Sequence, residues 1–213
     1  MQNTQVPYWV AVLTPEERPF GTRRTDGRID AIDDSVVTST RTQWAGASHP
    51  SATMLLAVLA ATTGSWQSDR CCKSTSGILV DLESDPEDLE TDRTLFPVRL
   101  PTTGEPDALT AEVQRRIAAA PSGGRYFAAA ATAPALARKH GAQIAFRFGG
   151  EPSTADSDPA APLRHSLTVT CDVTEVDGVV FVDTAFTWNC RVFSQADVDD
   201  FERYWEKTIS TFS

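Results

Sequence analysis

Histidine, cysteine and methionine are scarce: the 213-residue chain has three, four and two of them. No two histidines are adjacent, no C-x-x-C pair occurs and no G-x-S-x-G elbow is present. The usual signatures of a zinc site, a thiol redox pair and a serine nucleophile are therefore missing. Cys71 and Cys72 are neighbours, which bridge to each other only with strain. Those two with His49, His140 or His165 are the sole conceivable zinc donors, and they lack paired spacing. Long apolar runs are also absent. The strongest, residues 54–61, breaks at Thr62-Thr-Gly64 and is too short to span a bilayer. Met1-Gln-Asn-Thr-Gln-Val-Pro7 has neither the basic start nor the apolar stretch of a secretory signal, so the cytoplasm is the expected compartment. Positive charge is in short supply, with 19 Lys and Arg against 29 Asp and Glu and a net charge of −10. That balance argues against nucleic acid and anionic membrane as partners. It leaves an acidic protein partner open, through local basic patches.

What is present is enough apolar material, 41% of residues, to bury a sizeable core. Residues 1–27, punctuated by Pro7, Pro15, Pro19, Gly21 and Gly27, are expected to be irregular, with Tyr8-Trp9-Val10 capping the core. Alternation over 28–33 predicts a half-exposed strand. Ser51 is placed to cap a well-buried helix through Met54, Leu55, Val58 and Leu59, which Gly64 should end. Strands are predicted at 77–83, 94–100 and 143–148, and helices from Pro106 and from Tyr126 to about His140. Residues 151–162, rich in Pro, Ser, Asp and Ala, read as a mobile loop. Strong alternation over 165–176 and 179–189, around Asp177-Gly178, is a two-residue hairpin signal. Cys171 and Cys190 then fall on strands as small core residues. Ser194 with Asp197 at N3 forms a capping box for a last helix whose stripe is Val198, Phe201, Trp205, Ile209 and Phe212. The pattern is α/β, a mixed sheet covered by helices on one side.

Two further motifs carry weaker signals. Asp81-x-Glu83-x-Asp85 has the carboxylate spacing of a calcium loop, but Pro86 stands where the turn needs glycine and strands flank it. Pro121-Ser-Gly-Gly124 is glycine-rich, yet follows a helix and lacks a Lys-Ser/Thr ending, so it reads as a helix stop.

The order of several short segments resembles one family. Val80-Asp-Leu-Glu83 is similar to the opening of the E-G-H-G-R-E segment of nonribosomal peptide synthetase epimerization and condensation domains. Arg93-Thr94 and Leu95-Phe-Pro-Val-Arg-Leu100 resemble the two ends of R-T-V-G-W-F-T…P. Ala120-Pro-Ser-Gly-Gly-Arg-Tyr126 is similar to the P-x-x-G-x-G-Y turn, and Ile144-Ala-Phe-Arg-Phe-Gly149 to the strand written F-N-Y-L-G. Leu55-Leu-Ala-Val-Leu-Ala60 matches the buried helix ahead of them. The collinearity of these segments is the strong part of the resemblance. It implies a single chloramphenicol-acetyltransferase-like half over residues 1–213, the C-terminal lobe of such a domain without its N-terminal lobe.

The departures are equally informative. The family's H-H-x-x-x-D-G motif, carried by the N-terminal lobe, is absent; Ser84-Asp85 replaces the Gly-His after the glutamate, and V-G-W-F-T is missing. The isolated chain is therefore expected not to be an enzyme, and to serve as an interaction or scaffold subunit of nonribosomal peptide biosynthesis. What the resemblance implies for partners is a carrier protein with its phosphopantetheine arm, a separate N-terminal lobe, or a second copy of the chain. It places Glu83 where the epimerization family has its acid/base glutamate. It places Leu82, Asp85, Arg93, Leu95, Phe96, Tyr126, Phe146 and Phe148 at a binding surface or lobe interface. A missing lobe should then expose an apolar face around Leu82 and Leu95-Phe96. No cofactor or metal of the chain's own is implied. One alternative is half of a split enzyme acting on carrier-bound thioesters. Another is a stand-alone enzyme of repurposed chemistry, with Cys71-Cys72 or His49 as the places to look.

Overall fold

The C-terminal third sets the frame. In a computed structural model, which describes residues 5–14, 16–70, 77–84, 94–149 and 158–213, Leu167–Val176 (β5) and Val179–Asn189 (β6) pair antiparallel around Asp177-Gly178. Both turn residues have positive φ, 52° and 78°, as the tight turn matched to strand twist requires. Ser35–Trp44 (β1) then pairs antiparallel with β6 over its whole length. Ile78–Glu83 (β2) and Leu95–Leu100 (β3) form a second antiparallel pair. Ile144–Phe148 (β4) lies between β2 and β5, parallel to both. The result is one mixed sheet in the order β1-β6-β5-β4-β2-β3.

Helices cover one face of it. Ala52–Asp69 (α2), Pro106–Ala118 (α3) and Gln195–Phe212 (α5) pack against one another and bury the inward side chains of the strands. The predicted capping box opens α5: Ser194 accepts from the Asp197 N–H, and the Asp197 carboxylate accepts from the Ser194 N–H. Its stripe of Val198, Phe201, Trp205 and Ile209 is buried against Phe186 and Trp188 of β6. Each such side chain contributes roughly 1.5–3 kcal/mol of apolar transfer. Phe20, Trp66, Phe193 and Phe201 interlock edge-on at the centre of the core.

Several expectations change. Residues 1–27 are not all irregular, because Val6–Val12 forms α1 and inserts Trp9 between Phe96 and Phe127. The strand expected over 28–33 is instead turns and a short 3-10 helix (Ile32–Asp34), and the strand follows at 35–44. Helix α2 does not stop at Gly64 but runs through it to Asp69, because the bare Cα lets Thr102 approach; a Cβ would lie 2.5 Å from the Thr102 Cβ. The alanine-rich stretch is helical only over Phe127–Ala130 (α4). Pro134, with no N–H to donate, interrupts the remainder. Cys171 is buried as expected, but Cys190 lies just past β6 and is exposed. Cys71, Cys72, the crossing 85–93 and most of 151–162 fall outside the described residues.

Candidate functional site

The sheet face turned away from α2, α3 and α5 is polar. The strand registers put Asp81, Glu83, Ala145, Arg147, Thr168, Thr170 and Asp183 on it, opposite in phase to the core residues Val80, Leu82, Ile144, Phe146 and Val169. A side chain one residue along a strand points to the other face, so a hydrophobic strand still presents carboxylates on its reverse. Over β2 and β4 this face forms the floor of a cleft of about 950 Å³.

The cleft's second wall is the segment Arg24–Arg28, which crosses the start of β4 and β5. Gln143 fixes the chain leading into that segment, its amide donating to the Arg18 carbonyl at 2.8 Å and accepting from the Phe20 N–H at 2.7 Å. Thr25 and Ser166 share a hydroxyl hydrogen bond of 2.9 Å, and Asn189 donates to Thr25 at 3.1 Å. Farther along, Arg23 grips Asp30 with both terminal nitrogens, at 2.7 and 2.5 Å. That grip holds the Asp30 carboxyl well below the usual carboxylate range, at about 2.

Two side-chain pairs occupy the floor. Glu83 Oε1 lies 3.0 Å from Arg147 Nε across adjacent strands, both side chains about a quarter exposed. His165 Nε2 is 2.8 Å from Asp81 Oδ2, with 10% and 17% of these side chains exposed. Arg24, Arg28, Arg164 and His140 complete the rim. Arg24 spends its guanidinium on the carbonyls of Glu17 and Gly141, so its charge has no carboxylate in contact among the described residues. Against a chain of net charge −10 the cleft is a local concentration of arginine.

Of the residues singled out from sequence, Glu83 and Leu95 line this cleft together. Glu83, at the end of β2, is an ion-pair partner of Arg147. Leu82 and Phe96 are 8% and 3% exposed, and Phe146 is buried with them. The apolar face expected around Leu82 and Phe96 is therefore covered, Phe96 lying under Trp9 and Gly124. Tyr126 and Phe148 are exposed outside the cleft. Asp85 and Arg93 fall outside the described residues. His49 is exposed at the far end of the sheet, 3.2 Å from Glu175. Sequence reasoning weighed His165 only as a zinc donor and Asp81 only in a calcium-loop spacing; it missed their pairing, and it missed Arg147. The one available signal was Asp81 in the middle of a buried strand, where a carboxylate needs a partner.

Among the described residues, no group of three or more His, Cys, Asp or Glu is arranged to hold a metal ion, and no helix is long and apolar enough to cross a membrane.

A mixed six-stranded sheet with helices on one face and a cleft on the other has the chloramphenicol-acetyltransferase-like fold, in the form seen in condensation-type lobes. Among solved structures the chain is similar to the epimerization domain from the third module of tyrocidine synthetase B, with TM-score 0.66 at 12% identity over 98% of this chain and 55% of that one. The X-domain from teicoplanin biosynthesis gives 0.68 at 14% identity, over 99% of this chain and 55% of that one. A chloramphenicol acetyltransferase gives 0.54 at 11% identity, over 84% of this chain and 90% of that one. The chain thus spans about half the length of the two synthetase-type structures. No family model matches it, and no curated protein matches its sequence.

Proposed function

We propose that the chain is an interaction subunit of nonribosomal peptide biosynthesis, a condensation-type lobe that docks with a carrier protein or another synthetase component. The observation that carries this reading is the cleft on the polar sheet face, rimmed by Arg24, Arg28 and Arg164. Carrier proteins present an acidic surface and a phosphorylated arm, and guanidinium groups are suited to both. A teicoplanin X-domain of the same fold has been solved in complex with OxyB, so the fold forms a complex with another protein in at least one biosynthesis. The ionic pairing of Glu83 with Arg147 favours the non-catalytic reading, because a base must release its guanidinium before it takes a proton.

The split-enzyme reading has one observation in its favour: Glu83, the position that resembles the epimerization glutamate, does face the cleft. Size-exclusion chromatography with candidate carrier proteins, in their apo and phosphopantetheinylated forms, tests both readings. Docking predicts a complex with the loaded carrier, weakened when Arg28 and Arg164 are replaced by glutamate. A stable monomer that binds neither a carrier nor a second lobe would overturn both. If a complex forms, exchange of the α-deuterium of a carrier-bound aminoacyl thioester, lost in Glu83→Gln, would favour the split enzyme.

A further inference from the structure

The His165–Asp81 pair is used by neither reading. We propose that it is a general-base dyad, and that the cleft hydrolyses an activated acyl ester bearing an anionic group. A carboxylate can only accept a hydrogen bond, so the ring nitrogen that faces Asp81, Nε2, is the one that donates. Nδ1 keeps its lone pair, on a ring that forms part of the cleft wall. No other described residue bonds to the ring. The hydrogen bond to the largely buried Asp81 carboxylate orients the ring, which is what an aspartate does for a catalytic histidine.

The neighbouring hydroxyls are already committed. Ser166 Oγ is buried on Thr25, and Ser84 Oγ is 2.9 Å from Thr94 Oγ1. The nucleophile therefore arrives with solvent. Water gives a proton to Nδ1 as its oxygen bonds to the acyl carbon; the ester C–O bond then breaks, and the proton returns to the departing oxygen. The products are a carboxylic acid and an alcohol, with no change of oxidation state. Asp81 stays ionised and balances the imidazolium that forms. Arg24 and Arg164 define the substrate's sign, since they bring positive charge to the rim.

The second histidine–carboxylate pair supplies an internal control. His49 and Glu175 have the same chemistry at 3.2 Å but are more than half exposed and lie outside the cleft. The probe is para-nitrophenyl hemisuccinate, with para-nitrophenyl acetate as its uncharged counterpart. The native chain should hydrolyse the hemisuccinate with saturation and prefer it to the acetate in kcat/KM. His165→Gln should lower kcat by about 100-fold, the lower end of what a positioned base supplies. Asp81→Asn should lower it as well, while His49→Gln leaves it unchanged. Equal rates in the His165 and His49 variants would overturn the proposal. Because a floor variant can fail to fold, ring-nitrogen NMR of native His165 gives a second check. A proton on Nε2 is expected, and a proton on Nδ1 would sink the idea.

Discussion

Glu17 accepts the backbone N–H of Leu79 through its carboxylate, fastening the segment ahead of Phe20 to the first residues of β2. Burial raises the Glu17 pKa from 4.5 to about 7, against the opposing pull of the Leu79 N–H and of Arg99 and Arg24. Between those values the folded chain holds a proton that the unfolded chain has released. The contribution to stability is therefore full below about pH 4.5 and is lost as pH rises through about 7. Glu17→Gln keeps an oxygen for Leu79 and removes the titration. The native Tm should fall relative to that variant's as pH rises over this window, by the equivalent of about 2 kcal/mol once partial exposure is allowed for. Parallel Tm curves would show that Glu17 does not titrate there.

Gly123 and Gly124 stand side by side with φ of 61° and 83°, yet their surroundings differ. A Cβ on Gly124 would fall 2.1 Å from the Phe96 ring, whereas one on Gly123 meets nothing within 4 Å. Gly123→Ala should cost about 1 kcal/mol, the backbone strain alone. Gly124→Ala adds a clash inside the core and should cost about 3 kcal/mol or more. Urea denaturation of the two variants separates the terms. Equal losses would mean that Phe96 yields at no cost.

Arg23 is a third exposed while Asp30 is buried, so the pair's charge is screened from one side only. Arg23→Gln leaves a buried carboxylate unpaired and should cost about 2 kcal/mol, less than the 3–5 of a fully buried pair. The Arg23→Gln, Asp30→Asn double variant removes the stranded charge and should recover part of that loss. The native contribution is present above 3.8, the ordinary value for Asp, and is lost as pH falls towards about 2, so the native chain's advantage over the single variant should shrink across that range. A double variant less stable than the single one would contradict this account.

The sequence announced the elements whose signals are local. Asp177-Gly178 needs only its own two residues to specify a turn, and Ser194 needs only Asp197 to specify a cap. Strand β1 escaped notice because it is an edge strand of Ser, Thr, Arg and Gln, with exposed residues in place of a hydrophobic alternation. Gly64 misled in the other direction. Its meaning is a close approach by Thr102, 38 positions away by numbering, and no local rule reports that. The same reason hides the dyad. Asp81 and His165 are 84 residues apart, and they meet only because β4 inserts between β2 and β5. Glu83 was legible through the family resemblance, but its partner Arg147 lies in a strand read only for its apolar residues.

Strand β4 also decides where the sheet can give. Its register with β2 has three residue pairs and with β5 five, whereas β2–β3 has six and the β1–β6 and β5–β6 ladders ten each. The sheet is thus two antiparallel plates welded along one short seam. The narrowest part of the weld runs beneath the cleft, with Asp81 and Glu83 on one plate and Arg147 on the strand beside it. The cleft floor thus lies along the line of the sheet held by the fewest paired residues.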